Sequence, residues 1–177
     1  FFLGLVGSAK AENQEEKQLF FVMSFPEAKL DDVFLPAEPR WEYQLDKRHS
    51  THALILSSPS SAEYPAVLEL VLDNRLRVDA QEMRALSAST IAVFKRKLGL
   101  SDNVDANSLQ QVAYGQLKGW KLGFPYSHKG SELAFDVEVL RLNTGHVITA
   151  MSSSRQHQLP HFAVTKGKIL SRLKEFN

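Results

Sequence analysis

Apolar residues along this chain recur mostly at every second position, the period of a half-buried strand. In two stretches they recur every three to four positions, the period of a helix. Leu19 to Phe25 is a short aromatic-rich apolar run ended by Pro26, and reads as a first strand. Pro26, Pro36 and Pro39, with Asp31 and Asp32, mark residues 26–39 as a loop with room for one helical turn. Trp41, Tyr43 and Leu45 then alternate with Glu42, Gln44 and Asp46, and Thr51 to Ser57 returns as the partner strand of a hairpin. Ser57 to Ser61 is a loop by composition. Ala66 to Leu72 is almost continuously apolar, as a strand covered on both faces would be, and Asp73-Asn74 ends it.

The clearest helix opens at Asp79, with Glu82 three residues on as in a capping box. Met83, Leu86, Thr90, Ile91, Phe94 and Leu98 form its apolar stripe, Lys95, Arg96 and Lys97 suit its negative end, and Gly99 is its stop. Residues 101–108 are a polar connector. Leu109 to Lys121 reads as strand, turn near Lys118-Gly119, then strand, and Phe124 to Gly130 as a loop. Leu133, Phe135, Val137 and Val139 alternate with Ala134, Asp136 and Glu138, the best strand in the chain; Asn143-Thr144-Gly145 turns it into a partner, His146 to Met151. Pro160 opens a final helix whose apolar face holds Phe162, Thr165, Ile169, Leu170, Leu173 and Phe176. An antiparallel-rich sheet with helices packed on it, one α+β domain over residues 12–177, accounts for the whole pattern.

The opening segment stands apart. Residues 1–9 are apolar or small, Ala9-Lys10-Ala11 fits the small-x-small cleavage rule, and a polar run follows from Glu12. Residues 1–11 are therefore expected to be the C-terminal part of a cleavable signal peptide, which makes the protein exported and, in a bacterium, periplasmic. The chain has 21 basic and 20 acidic residues. Lys10 is the excess charge, so the remainder is neutral. A neutral domain lacks the basic footprint of a nucleic-acid binder and the polybasic segment that holds proteins to anionic membranes. Cysteine is absent, which excludes disulfides, thiolate metal sites, thiol catalysis and a lipidated cysteine.

The histidines, serines and carboxylates form no recognisable catalytic pattern. His157 and His161 have the four-residue spacing of helical metal ligands, but Pro160 between them forbids a shared helix there. His49 and His52 straddle a turn and a strand start. No Gly-x-Ser-x-Gly elbow exists, and the Ser152-Ser153-Ser154 run reads as loop. Asp136 and Glu138 face the same way on a strand, about 7 Å apart, and are expected on a solvated sheet face. Thr165-Lys166-Gly167-Lys168 lacks the rest of a phosphate-binding loop. No metal or cofactor is expected.

From about Leu54 to Phe176 the order of elements resembles the PsbP-like α/β/α sandwich superfamily, and within it the DcrB-type periplasmic proteins of bacteria. The likeness is carried by Gly115-Gln116-Leu117-Lys118-Gly119-Trp120, by Ala134 to Leu142, by Gly145 to Ala150 and by the Lys168 to Phe176 helix. DcrB-type members are usually lipoproteins, and this chain departs from them in having no lipidation cysteine. The resemblance implies a non-catalytic accessory, envelope or binding protein. Some immunity proteins against secreted toxins have the same kind of sandwich.

The expected function is therefore binding, through contact with another protein. The surface chosen for it is Trp120, Phe124, Tyr126 and His128, because aromatics beside glycine and proline in a connector bury much area at small entropic cost. Packing of Trp120 and Phe124 into the sheet is the competing reading. The alternatives are an immunity protein that occludes a toxin delivered to the periplasm, a small hydrolase with a spatially assembled site, and a carrier of a lipid or small ligand. A nucleic-acid partner and a stable membrane anchor are not expected.

Overall fold

The structure, a computed structural model, describes residues 19–37, 39–59 and 65–177. The leader-like segment 1–11 lies outside the described residues. Two antiparallel sheets and two helices make the α+β domain that the hydrophobic pattern predicts. The larger sheet has seven strands: β3 (Glu42–Arg48), β4 (Thr51–Ser57), β5 (Val67–Arg77), β6 (Gln110–Tyr114), β7 (Leu117–His128), β8 (Ser131–Arg141) and β9 (His146–Arg155). Their spatial order is β3-β4-β5-β9-β8-β7-β6. Helix α1 (Met83–Lys97) crosses one face, over β7 and β8, and α2 (Leu159–Arg172) crosses the other. A small sheet of β1 (Phe20–Phe25), β2 (Leu30–Pro36) and β10 (Lys174–Glu175) adjoins α2.

Each face of the large sheet closes its own core. Leu54, Leu56, Leu68, Leu70, Leu140, Ile148 and Ala150 meet Phe162, Ile169 and Leu170 of α2, and Leu30, Val33 and Leu35 of the small sheet join them. Trp41 is in this core as well, stacked on Phe162 with ring centroids 6.0 Å apart. Val137, Val139, Val147 and Met151 point the other way, to Met83 and Ile91 of α1. The first helix begins at Met83, later than the Asp79 start expected, after a turn in which the Glu82 carboxylate accepts the Asp79 backbone N–H at 3.3 Å.

Several boundaries differ from the sequence expectation, each for a local reason. Residues 26–39 hold a helical turn at Pro26–Ala28 and then strand β2. The alternation there is disguised by a bulge: between Phe25 and Met23, β1 advances two residues while β2 advances from Leu30 to Val33. Asp32 takes up the extra residue in a left-handed conformation (φ 51°). The β6–β7 turn falls at Gly115-Gln116, ahead of Lys118-Gly119, so that Tyr114 pairs with Leu117.

Phe124 to His128 is strand, and the turn is Lys129-Gly130, both residues having positive φ (48° and 78°) as a tight two-residue hairpin requires. Pro125 is tolerated because β6 pairs β7 only from Leu117 to Lys121, which leaves an open side for a nitrogen without a hydrogen. β9 runs on through the serine triplet to Arg155, and Ser152 and Ser154 are buried.

Strand β1 pairs only with β2 among the described residues and leaves Leu19, Phe21 and Val22 more than half exposed. Leu70, fully buried between β4 and β9, tests the α2-side core. Leu70→Ala is expected to cost about 2–5 kcal/mol by urea unfolding. Val93→Ala, on the exposed side of α1, should change stability by less than about 0.5 kcal/mol. Equal effects of the two substitutions would contradict this layering.

Candidate functional site

The parity of β8 decides where its charges go. Asp136 and Glu138 share a face with Leu140 and Leu142, and that face lies under α2, so the expectation of a solvated sheet surface is corrected. Glu138 is fully buried and Asp136 partly so. Lys166 descends from α2 between them, itself 4% exposed. Its Nζ donates to Glu138 Oε1 at 2.5 Å, to Asp136 Oδ2 at 3.0 Å and to Ser152 Oγ of β9 at 3.3 Å. Ser152 is the cross-strand partner of Asp136, so one register places all three acceptors on one ammonium. The Tyr114 hydroxyl of β6 closes the group, donating to Glu138 Oε1 at 3.3 Å.

Chemically, this cluster is a fastener. A lysine ammonium has three donors and no acceptor, and here every donor is engaged, so it has no lone pair with which to take a proton from Ser152. Glu138 Oε2 and Ser154 Oγ, both buried, have no hydrogen-bond partner among the described residues. Tyr114 is raised above its ordinary pKa of 10.0, by desolvation first and then by the charge and hydrogen bond of Glu138, with Asp136 adding in the same sense.

A second polar group, partly buried around His146, joins the last strand to the sheet. Arg77 Nε donates to His146 Nε2 at 3.1 Å, which leaves the ring proton on Nδ1, 2.8 Å from Glu175 Oε1. Thr144 Oγ1 donates to the other Glu175 oxygen at 3.0 Å. The histidine–carboxylate pair looks like two thirds of a hydrolytic triad. The nitrogen that would receive a nucleophile's proton is occupied by Arg77. Among the described residues no group of histidines and carboxylates could hold a metal ion, and no helix is long and apolar enough to cross a membrane.

Trp120, Phe124, Tyr126 and His128 come out on one face of β7, the α1 side, at alternating positions. The strand carries them apart: Trp120 and His128 are separated by roughly 26 Å at the usual rise per residue. Trp120 lies under the start of α1, with the Arg84 guanidinium 4.8 Å from its ring. Phe124 lies near the end of α1, stacked on Phe135 (5.5 Å) with Lys95 5.9 Å from its ring. Beyond the helix, Tyr126 stacks on His128 at 6.1 Å and meets Phe135 edge-on at 6.3 Å. Trp120 and Phe124 are therefore partly covered by α1, and the open end of the row is Tyr126 and His128. The Lys166 cluster was not anticipated; the parity that Glu138 shares with Leu140 and Leu142 is the signal that could have revealed it.

With helices on both faces of an antiparallel sheet, the domain belongs architecturally to the α/β/α sandwiches. No family model matches the chain, and no curated protein matches it in sequence. Among solved structures, one from Bacteroides thetaiotaomicron VPI-5482 has the same fold, with a TM-score of 0.55 at 11% identity, over 89% of this chain and 48% of that one. This chain thus spans about half the length of that protein. The structure of LpqN, described as involved in cell envelope biogenesis of Mycobacterium tuberculosis, aligns over 91% of both chains with a TM-score of 0.46 and 13% identity.

Lys166→Met should lower stability by about 3–5 kcal/mol, because it leaves the buried Glu138 carboxylate beside that of Asp136 with no cation. Adding Asp136→Asn and Glu138→Gln should recover much of that loss in urea titrations. A neutral Lys166→Met would mean that the ammonium is dispensable. The raised pKa of Tyr114 favours its neutral form in the folded state. Its contribution is therefore complete below about pH 10 and is lost as the pH rises above it, when the unfolded chain ionises first. The melting temperature of Tyr114→Phe should fall less steeply than the wild type's between pH 9.5 and about 11; parallel curves would remove Tyr114 from the cause.

Proposed function

We propose that this protein is a non-catalytic accessory protein of the bacterial envelope, exported by the leader-like segment 1–11 and acting through contact with another protein. The single observation that supports the contact surface is the aromatic row on β7, which continues past the end of α1. Phe124 and Phe135 form its partly buried root, while Tyr126 and the exposed His128 extend it, stacked together, onto the open part of the β7–β8 hairpin. A rigid aromatic pair rooted in a core presents a large contact area that loses little entropy on binding. The tight Lys129-Gly130 turn holds the two strands in register to their tips. The two polar clusters support a non-catalytic reading from the other side, since Lys166 engages Glu138 Oε1 and Arg77 engages His146 Nε2. Affiliation with PsbP-like, DcrB-type proteins is part of this proposal and accords with the layer order of the fold.

Site-specific photocrosslinking in native cells tests the surface. A crosslinking amino acid at 126 or 128 should capture one protein of defined mass, and one at the exposed Val93 should not. Tyr126→Ala should then weaken binding of the purified partner about tenfold or more. Adducts of the same kind from all three positions, or none from 126 and 128, would remove this surface from the proposal.

A further inference from the structure

At the opposite end of α1, a cavity of about 150 Å³ opens between the start of that helix at Met83 and strands β6 to β8. Lys118 and Arg141 line it together with Trp120, Gln111 and Asn143. Lys118 and Arg141 stand directly opposite each other in the β7–β8 register. They have the parity of Trp120 and Val139, so both point to the α1 side. Like charges directly across a ladder repel. Lys118 has no ion pair among the described residues, and half-buried Arg141 is held only through Nε, which donates to the Val78 carbonyl at 2.5 Å.

Nearby carboxylates do not answer these charges. Glu82 turns back to the Asp79 backbone, and neither Glu82 nor Asp79 lines the cavity. Arg48, Arg96, Lys174 and Lys166 do have carboxylate partners, whereas Lys118 and Arg141 share one pocket without any among the described residues.

We propose that this cavity binds a small oxyanion, a carboxylate or phosphate group, that bridges Lys118 and Arg141. The guanidinium has N–H groups beyond Nε to offer, in a fork that suits two oxygens of one anion. The side-chain amides of Gln111 and Asn143 supply further donors. Trp120 forms the apolar wall for whatever carries the anion, its other neighbour being Arg84. The pocket, about 150 Å³ and open to solvent, has room for the anionic group with a small ring or chain on Trp120. The site lies away from Tyr126 and His128, and its failure would leave the protein-contact reading standing.

Calorimetric titration of the full protein at low ionic strength, once with sodium benzoate and once with inorganic phosphate, tests the proposal. At least one should bind saturably with one-to-one stoichiometry. Binding of benzoate alone identifies an organic carboxylate seated on Trp120; equal binding of phosphate identifies recognition of the oxyanion itself. Lys118→Glu should weaken that binding at least tenfold and, without ligand, melt no lower than the wild type, because it replaces a repulsive pair with an attractive one. Lys118→Arg should retain binding. Absence of saturable binding by both anions, or binding unchanged in Lys118→Glu, would overturn the assignment.

Discussion

A sheet covered on both faces leaves its central strands no free side, and that constraint organises this molecule. Each residue of β5, β8 and β9 must suit either the layer under α1 or the layer under α2, and the choice alternates along the chain. Val137 and Val139 go one way while Glu138 and Leu140 go the other. The same alternation carries Trp120 to Tyr126 along the α1 side and Lys166's acceptors along the α2 side. A shift of one residue between β8 and β9 would exchange the layers, burying Asp136 and Glu138 in an aliphatic core with no ammonium to meet them. The buried charges thus act as a check on the register that placed them.

Much of this was readable from the residues, because strands and helices here obey their periods plainly. The β8–β9 hairpin, the body of α1 and the Pro160 start of α2 stand close to where alternation, helical periodicity and proline chemistry put them. What escaped was structure that polar residues disguise. Asp31 and Asp32 looked like loop residues because the bulge at Asp32 breaks the two-residue period of β2. Pro125 looked like a strand breaker because its open side depends on how far β6 extends, a fact of tertiary pairing. The serine triplet resembled a loop by composition, yet Ser152 is an acceptor for a lysine fourteen residues on. Lys166 itself lay within the apolar face assigned to α2, but a single sequence does not say which lysine will find a counter-charge in the sheet.

The two ways in which this protein places positive charge differ in kind. Lys166 is surrounded by acceptors from β8 and β9, and its needs are met inside the fold. Lys118 and Arg141 are set against each other beside a cavity, and the fold leaves their charge unanswered. The first arrangement makes structure; the second is available for recognition. They occupy opposite faces of the same strands, so the sheet separates a structural layer from one that carries both a cavity and an aromatic row at the two ends of α1.

The position of Lys166 in the chain has a consequence for the order of assembly. Asp136, Glu138 and Ser152 all leave the ribosome before residue 166 does. Until α2 arrives, the carboxylates must keep their water, since shedding it without a cation is costly. The α2 face of the sheet therefore cannot dry early. Final closure waits for the last segment of the polypeptide, and a chain cut short before Lys166 would retain an open, hydrated flank that quality-control proteases can recognise.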